Sequence, residues 1–149
     1  MNWLLSKLQA DYPDWRYQPA DRFAWSDEDQ TIYYQPDIES ATDFLLHETA
    51  HAILGHTSYR RDIELIKMER QAWSYAVSTL ASRYQLTVDE DVIENSLDTY
   101  RDWLHARSLC PECSSTGYES AKQVYSCLAC GSQWRVNQAR DCALRRYRK

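Results

Sequence analysis

The stretch that most limits how this chain can fold is Phe44-Leu45-Leu46-His47-Glu48-Thr49-Ala50-His51-Ala52-Ile53-Leu54-Gly55-His56, its most apolar run. Leu45, Leu46, Ala50, Ile53 and Leu54 call for a buried helix, yet the same helix carries two histidines and a glutamate. Such groups are costly inside a protein unless partnered. Residues four apart share a helix face, so His47 and His51 can offer two imidazoles to one ion from consecutive turns. Glu48 sits about a hundred degrees round from His47. From there its carboxylate can reach a water at that ion without being a ligand, take its proton during attack on a carbonyl, and return it to the leaving amine. The pattern H-E-x-x-H is accordingly a zinc hydrolase signature. Ser40 is the expected N-cap with Asp43 three residues on, and Gly55 the expected C-terminal cap.

A catalytic zinc takes three protein ligands and keeps one open position. The third is sought in a second helical pattern, from Asp62 to Tyr84, whose apolar stripe holds Leu65, Ile66, Ala72, Trp73, Ala76 and Leu80. Glu69 falls inside that stripe and needs a cation, either the zinc or an arginine such as Arg22 or Arg83. Asp62 stands at the helix start, where capping and the helix dipole account for an acid. Glu64 points elsewhere.

The run Leu45-Leu46-His47-Glu48-Thr49-Ala50-His51-Ala52-Ile53-Leu54-Gly55-His56, followed by Glu69-Arg70-Gln71-Ala72-Trp73-Ser74-Tyr75-Ala76, resembles the ImmA/IrrE metallopeptidase family. The resemblance covers residues 31–80. It implies a gluzincin-type zinc peptidase with His47, His51 and Glu69 as ligands and Glu48 as base, acting on a protein substrate such as a DNA-binding repressor. Two departures stand out: Trp73 occupies a place the family often gives to a small or polar residue, and Ser78-Thr79-Leu80-Ala81 replaces a Leu-Leu-Met-Pro ending.

Elsewhere the pattern is of short elements. Met1 to Asp11 spaces Trp3, Leu4, Leu5 and Leu8 as a short helix, too short and too polar for a membrane span or a signal peptide, and the expected location is cytoplasmic. Trp15–Tyr17, Phe23–Trp25 and Thr31–Tyr34 read as strands, the last two joined by a loop over 26–30 in a small antiparallel sheet packed on the metal helix. Thr31 to Gln35 is the candidate edge on which an extended substrate could lie. Tyr59 is a weak candidate for oxyanion stabilisation. His56, five residues from His51, is rotated off the ligand face and suits a helix C-terminus. A third helix is expected from Val88 to Arg107, opened by Thr87-Val88-Asp89-Glu90.

The composition shifts at residue 109. Cys110-Pro111-Glu112-Cys113 and Cys127-Leu128-Ala129-Cys130 are two C-x-x-C knuckles with zinc-ribbon spacing, able to close a tetrahedral structural site around a second zinc. A segment this small has too little core to fold alone. Cys142, left over, is expected as a small buried residue. Residues 1–108 carry ten Lys/Arg against nineteen Asp/Glu, a net of −9, while 109–149 carry seven against three, a net of +4. Arg140, Arg145, Arg146, Arg148 and Lys149, with Trp134 and Tyr147 near, suit contact with nucleic acid or an acidic protein.

A ribbon behind an H-E-x-x-H domain is also similar to SprT-like proteins, which act on DNA-attached proteins, but their third ligand is a histidine for which nothing after His56 provides the segment. The expectation is an α+β chain: a zincin-like metallopeptidase domain over 1–108, with one catalytic zinc, and a zinc ribbon with a basic tail over 109–149, with one structural zinc. A non-catalytic regulator that recognises its partner through the ribbon is the alternative from another class.

Overall fold

Aromatic runs between Trp15 and Tyr34 produce three strands, β1 (Arg16–Pro19), β2 (Ala24–Ser26) and β3 (Thr31–Tyr34). The computed structural model in which they are seen describes residues 1–138, 140 and 142–148, so Lys149 of the basic tail lies outside the described residues. The chain is mixed α and β and forms two compact units, residues 1–58 with 68–95 and residues 59–67 with 96–149. The units do not divide at the composition shift near residue 108.

In the first unit, β2 and β3 pair antiparallel around the expected loop, Trp25 opposite Ile32. The sheet order is β1-β3-β2, however, and β1 pairs with β3 in parallel, Tyr17 opposite Ile32. The sheet is therefore mixed, not antiparallel, and Thr31–Tyr34 is its central strand instead of an edge. Both sides of the β3 backbone are engaged, and bonds from Arg16 N–H to Gln30 O (2.9 Å) and from Ala20 N–H to Tyr34 O (2.8 Å) extend the ladder beside it. Buried Thr31 and Ile32 suit that interior place. α1 (Asn2–Asp11) buries Leu4 and Leu8 and leaves Trp3 exposed.

α2 (Ala41–Ile53) packs on β3 and β2. Ser40 occupies the N-cap position but its side chain makes no capping bond. At the other end Gly55, at φ +64°, takes the left-handed conformation that a side chain would disfavour. Gly55 N–H then bonds Ala52 O (3.2 Å) and His56 N–H bonds His51 O (3.0 Å), a Schellman closure. α3 (Asp62–Tyr75) continues as a π-helical stretch (Ala76–Ala81) and a last turn, α4 (Ser82–Tyr84), before Gln85 at φ 55° ends the run. The π-helical stretch packs on α2 with Ala76, Leu80 and Ala81 buried.

α5 (Glu90–Ser108) begins two residues later than the pattern suggested, because Asp89, not Thr87, supplies the cap: its Oδ1 accepts from Asp91 N–H at 2.9 Å. In the second unit β4 (Tyr118–Ala121), β5 (Val124–Ser126), β6 (Gln133–Val136) and β7 (Arg146–Arg148) form one antiparallel sheet in that order. Cys110, Tyr125, Cys127, Trp134 and Val136 make its core, with Leu104 and Leu144 against it. Gly117 is required there, since a Cβ would meet the Trp134 ring at 2.5 Å and Ser126 O at 2.7 Å.

The same unit is tied together by Arg107, which is 1% exposed. Its Nε donates to Asp62 Oδ2 at 2.5 Å and its Nη2 to Asp62 Oδ1 at 3.2 Å, while Nη1 reaches the carbonyls of Asn137 and Gln138. Tyr125 O–H donates to Asp62 Oδ2 at 2.6 Å, and Glu119 accepts the Asp62 N–H at 2.6 Å. Asp62 is thus half of a buried ion pair and more than a helix-start acid. Removing either partner would strand a buried charge, a loss of about 3–5 kcal/mol. Cys142 is exposed, not buried: its sulfur accepts from Asn137 Nδ2 at 3.4 Å, and the same side chain donates to Ala143 O and accepts from Arg145 N–H.

Candidate metal centres

α2 and α3 bring His47, His51 and Glu69 together, all buried. His47 Nε2 lies 3.0 Å from Glu69 Oε2 and 3.0 Å from His51 Nε2, and His51 Nε2 lies 3.5 Å from the same carboxylate oxygen. Four-coordinate zinc with nitrogen and oxygen ligands spaces neighbouring donors about 3.3–3.5 Å apart. One edge of the observed triangle has that length and the other two are about 0.3 Å shorter. A hydrogen bond serves two atoms at once, whereas one cation can serve all three of these electron-rich atoms. Burial pushes the Glu69 carboxyl up, but its bonds with His47 and His51 outweigh this and hold it well below the ordinary carboxylate range. Among the described residues no arginine pairs with it, and Arg83 pairs instead with Asp11 at 3.0 Å.

Each imidazole is held differently. The His47 ring stacks on Trp73, centroids 4.1 Å apart at 24°, and Phe44, three residues before His47 on α2, meets the same indole edge-on at 5.7 Å. His47 Nδ1 is buried with no hydrogen-bond partner among the described residues, and the stacked indole orients its ring. His51 has a polar support: its Nδ1 lies 2.9 Å from His56 Nδ1. His56 is fixed in turn by its own N–H on His51 O and by its carbonyl, which accepts from Trp25 Nε1 at 3.1 Å. Were an ion held at His51 Nε2, its Nδ1 would carry the proton and donate to His56, the kind of support that orients a metal-ligating histidine.

Glu48 is half-buried one residue from His47, and no hydrogen bond or ion pair among the described residues engages its carboxylate. Tyr59 belongs to the second unit, where burial, then Asp62, push its phenol up against the opposing pull of Arg140 and Arg107.

The four cysteines of the knuckles form a second donor group, their sulfurs all within 4.8 Å of one another. Cys110 Sγ is 3.6 Å from Cys130 Sγ and Cys113 Sγ is 3.6 Å from Cys127 Sγ. A tetrahedral zinc–thiolate site spaces its sulfurs about 3.8 Å apart. The two knuckles repeat one backbone design. Cys110 N–H bonds Ser115 O and Cys127 N–H bonds Ser132 O, both at 2.9 Å, and the residue after each second cysteine is left-handed, Ser114 at φ 58° and Gly131 at φ 77°. The Ser115 hydroxyl and N–H bring the Cys113 thiol down to about 6, and Ser132 lowers Cys130 in the same way.

Both groups could therefore hold a metal ion. No helix among the described residues is long and apolar enough to cross a membrane. Comparison of the chain with protein-family models, with curated proteins and with solved structures finds no match in any of the three.

Trp73 and His56 are the site residues that sequence reasoning did not assign. Trp73 was visible as part of an apolar stripe, four residues beyond Glu69, and as a departure from the family pattern, but not as a partner of His47. The helical wheel carried His56 away from the ligand face, but Gly55 ends the helix, and the Schellman closure folds His56 back onto His51. The Gly55-His56 pair was the available signal.

Proposed function

We propose that this chain is a zinc-dependent peptidase with a zincin-like first unit and a structural zinc ribbon. The observation that carries this reading is the buried triangle of His47 Nε2, His51 Nε2 and Glu69 Oε2 with an uncommitted carboxylate, Glu48, beside it on the same helix. His47, His51 and Glu69 would hold the ion. When bound, zinc supplies Lewis-acid polarisation of a carbonyl and brings water into the range where it ionises near neutral pH. Glu48 takes the proton of the water that attacks the carbonyl carbon and passes it to the leaving amine nitrogen. Trp73 and His56 keep the two imidazoles aimed while this happens.

The four sulfurs suit zinc by donor softness and by spacing. A carboxylate as third donor supports the ImmA/IrrE resemblance over the SprT-like one, whose third donor is histidine. That resemblance is also the source of the substrate class, a protein such as a DNA-binding repressor. The test is cleavage of a quenched-fluorescence peptide library and of co-purifying DNA-binding proteins, read by mass spectrometry, for wild type and Glu48→Gln. Hydrolysis should fall on the order of a hundredfold or more in Glu48→Gln, with zinc content unchanged. Equal cleavage by both proteins would overturn the reading.

A further inference from the structure

We infer that the solvent face of the second unit's sheet is a binding platform for single-stranded nucleic acid. The pairing of the strands defines that face. Tyr118, Ser126 and Gln133 lie across from one another on β4, β5 and β6, and Val124, Arg135 and Tyr147 do so on β5, β6 and β7. The alternate residues Tyr125, Trp134 and Val136 are buried on the other face; on the first face the two β5 residues, Val124 and Ser126, are buried as well, so its exposed groups come from β4, β6 and β7. The outer face keeps two large rings in solvent, Tyr118 at 49% exposure and Tyr147 at 43%. A four-stranded sheet spaces its outer strands about 14 Å apart, so the two rings bracket room for a short run of nucleotides.

Charge selects the occupant. The Arg135 guanidinium lies over the Tyr147 ring, 5.2 Å from its centroid, which fixes a cation on this face where its N–H groups can meet an anion. Between the tyrosines, the exposed Gln133 donates through Nε2 to the buried Ser126 Oγ at 3.2 Å, and Ser126 Oγ donates to the exposed Ser120 Oγ at 3.1 Å, which fixes the outer amide and hydroxyl on that face. Among the described residues no carboxylate belongs to this face: Glu119 is turned to the N–H groups of Asp62 and Gln123, and Glu112 pairs with Arg148 at 2.6 Å. In a chain of net charge −5, an acid-free surface of guanidinium, hydroxyl and exposed rings stands apart. Aromatic rings that stack bases, combined with a cation that tracks phosphate, form a single-strand platform. Nothing on the face distinguishes ribose from deoxyribose, so DNA and RNA strands bind alike.

This inference does not rest on the peptidase reading, and Glu48→Gln should bind as wild type does. The experiment is fluorescence anisotropy of the full chain with short labelled oligothymidylate and oligouridylate, a labelled duplex, and polyglutamate, at low and physiological salt. Both single strands should bind, more tightly than the duplex or polyglutamate, with affinity falling as salt rises. Tyr118→Ala/Tyr147→Ala should weaken single-strand binding about tenfold or more. Arg135→Gln should weaken it and reduce the salt slope by about one. Lys7→Gln, on α1, should change nothing. Ribbon zinc content reports whether each variant is folded, and if the tyrosine pair is not, Arg135→Gln decides alone. Failure to bind single strands at low salt, equal binding of duplex or polyglutamate, or indifference to the folded variants would overturn the inference.

Discussion

The two donor groups of this chain reach similar spacings by opposite means. The four cysteines come from two short knuckles that repeat one backbone pattern, alternating buried and exposed, and bring four sulfurs within 4.8 Å of one another. The histidine–glutamate group draws on two separate helices, is buried throughout, offers three donors where a tetrahedral ion takes four, and keeps a second acid beside it that nothing among the described residues engages. A closed set can only hold. An open set flanked by a free carboxylate can also react, and its rings have to be aimed by neighbours that the closed set does not need.

The largest effect expected from breaking this contrast is at the closed set. Cys110→Ser/Cys113→Ser should lose one zinc and unfold the β4–β7 sheet, since structural zinc contributes about 10–16 kcal/mol to such folds. Two-dimensional NMR should show the β4–β7 resonances collapse. At the open set, His56→Ala should weaken zinc binding by about 10–100-fold, measured by competition with a chromophoric chelator. The cysteine site should be untouched in the same titration, and an unchanged affinity at the open set would remove His56 from its support.

How much of this was legible in the sequence follows the range of each contact. The two knuckles and the His47–His51 pair are local patterns, and Glu69 betrayed itself as a charge inside an apolar stripe. The parallel pairing of β1 with β3 was not legible, because strands this short carry no signal for which neighbour they choose. Asp62 looked like a capping acid because its true partners, Arg107 and Tyr125, lie 45 and 63 residues away. His56 was misplaced because a helical wheel was extended past the glycine that ends the helix. Local chemistry was readable, and long-range pairing was not.

The smallest effect sharpens the likeness between the knuckles. Ser114 holds a left-handed conformation where its counterpart is Gly131. Ser114→Gly should stabilise the sheet unit by about 0.5–1 kcal/mol, seen as a higher melting temperature with the metal content unchanged.

The central claim, that one chain carries an open and a closed metal centre, is tested most directly by zinc stoichiometry. Elemental analysis of the purified wild type and of a Glu69→Gln/His47→Ala variant, with folding followed by circular dichroism, should give two zincs per chain and one. A wild type that holds a single zinc, even after zinc is added, and keeps it in that variant would contradict the account.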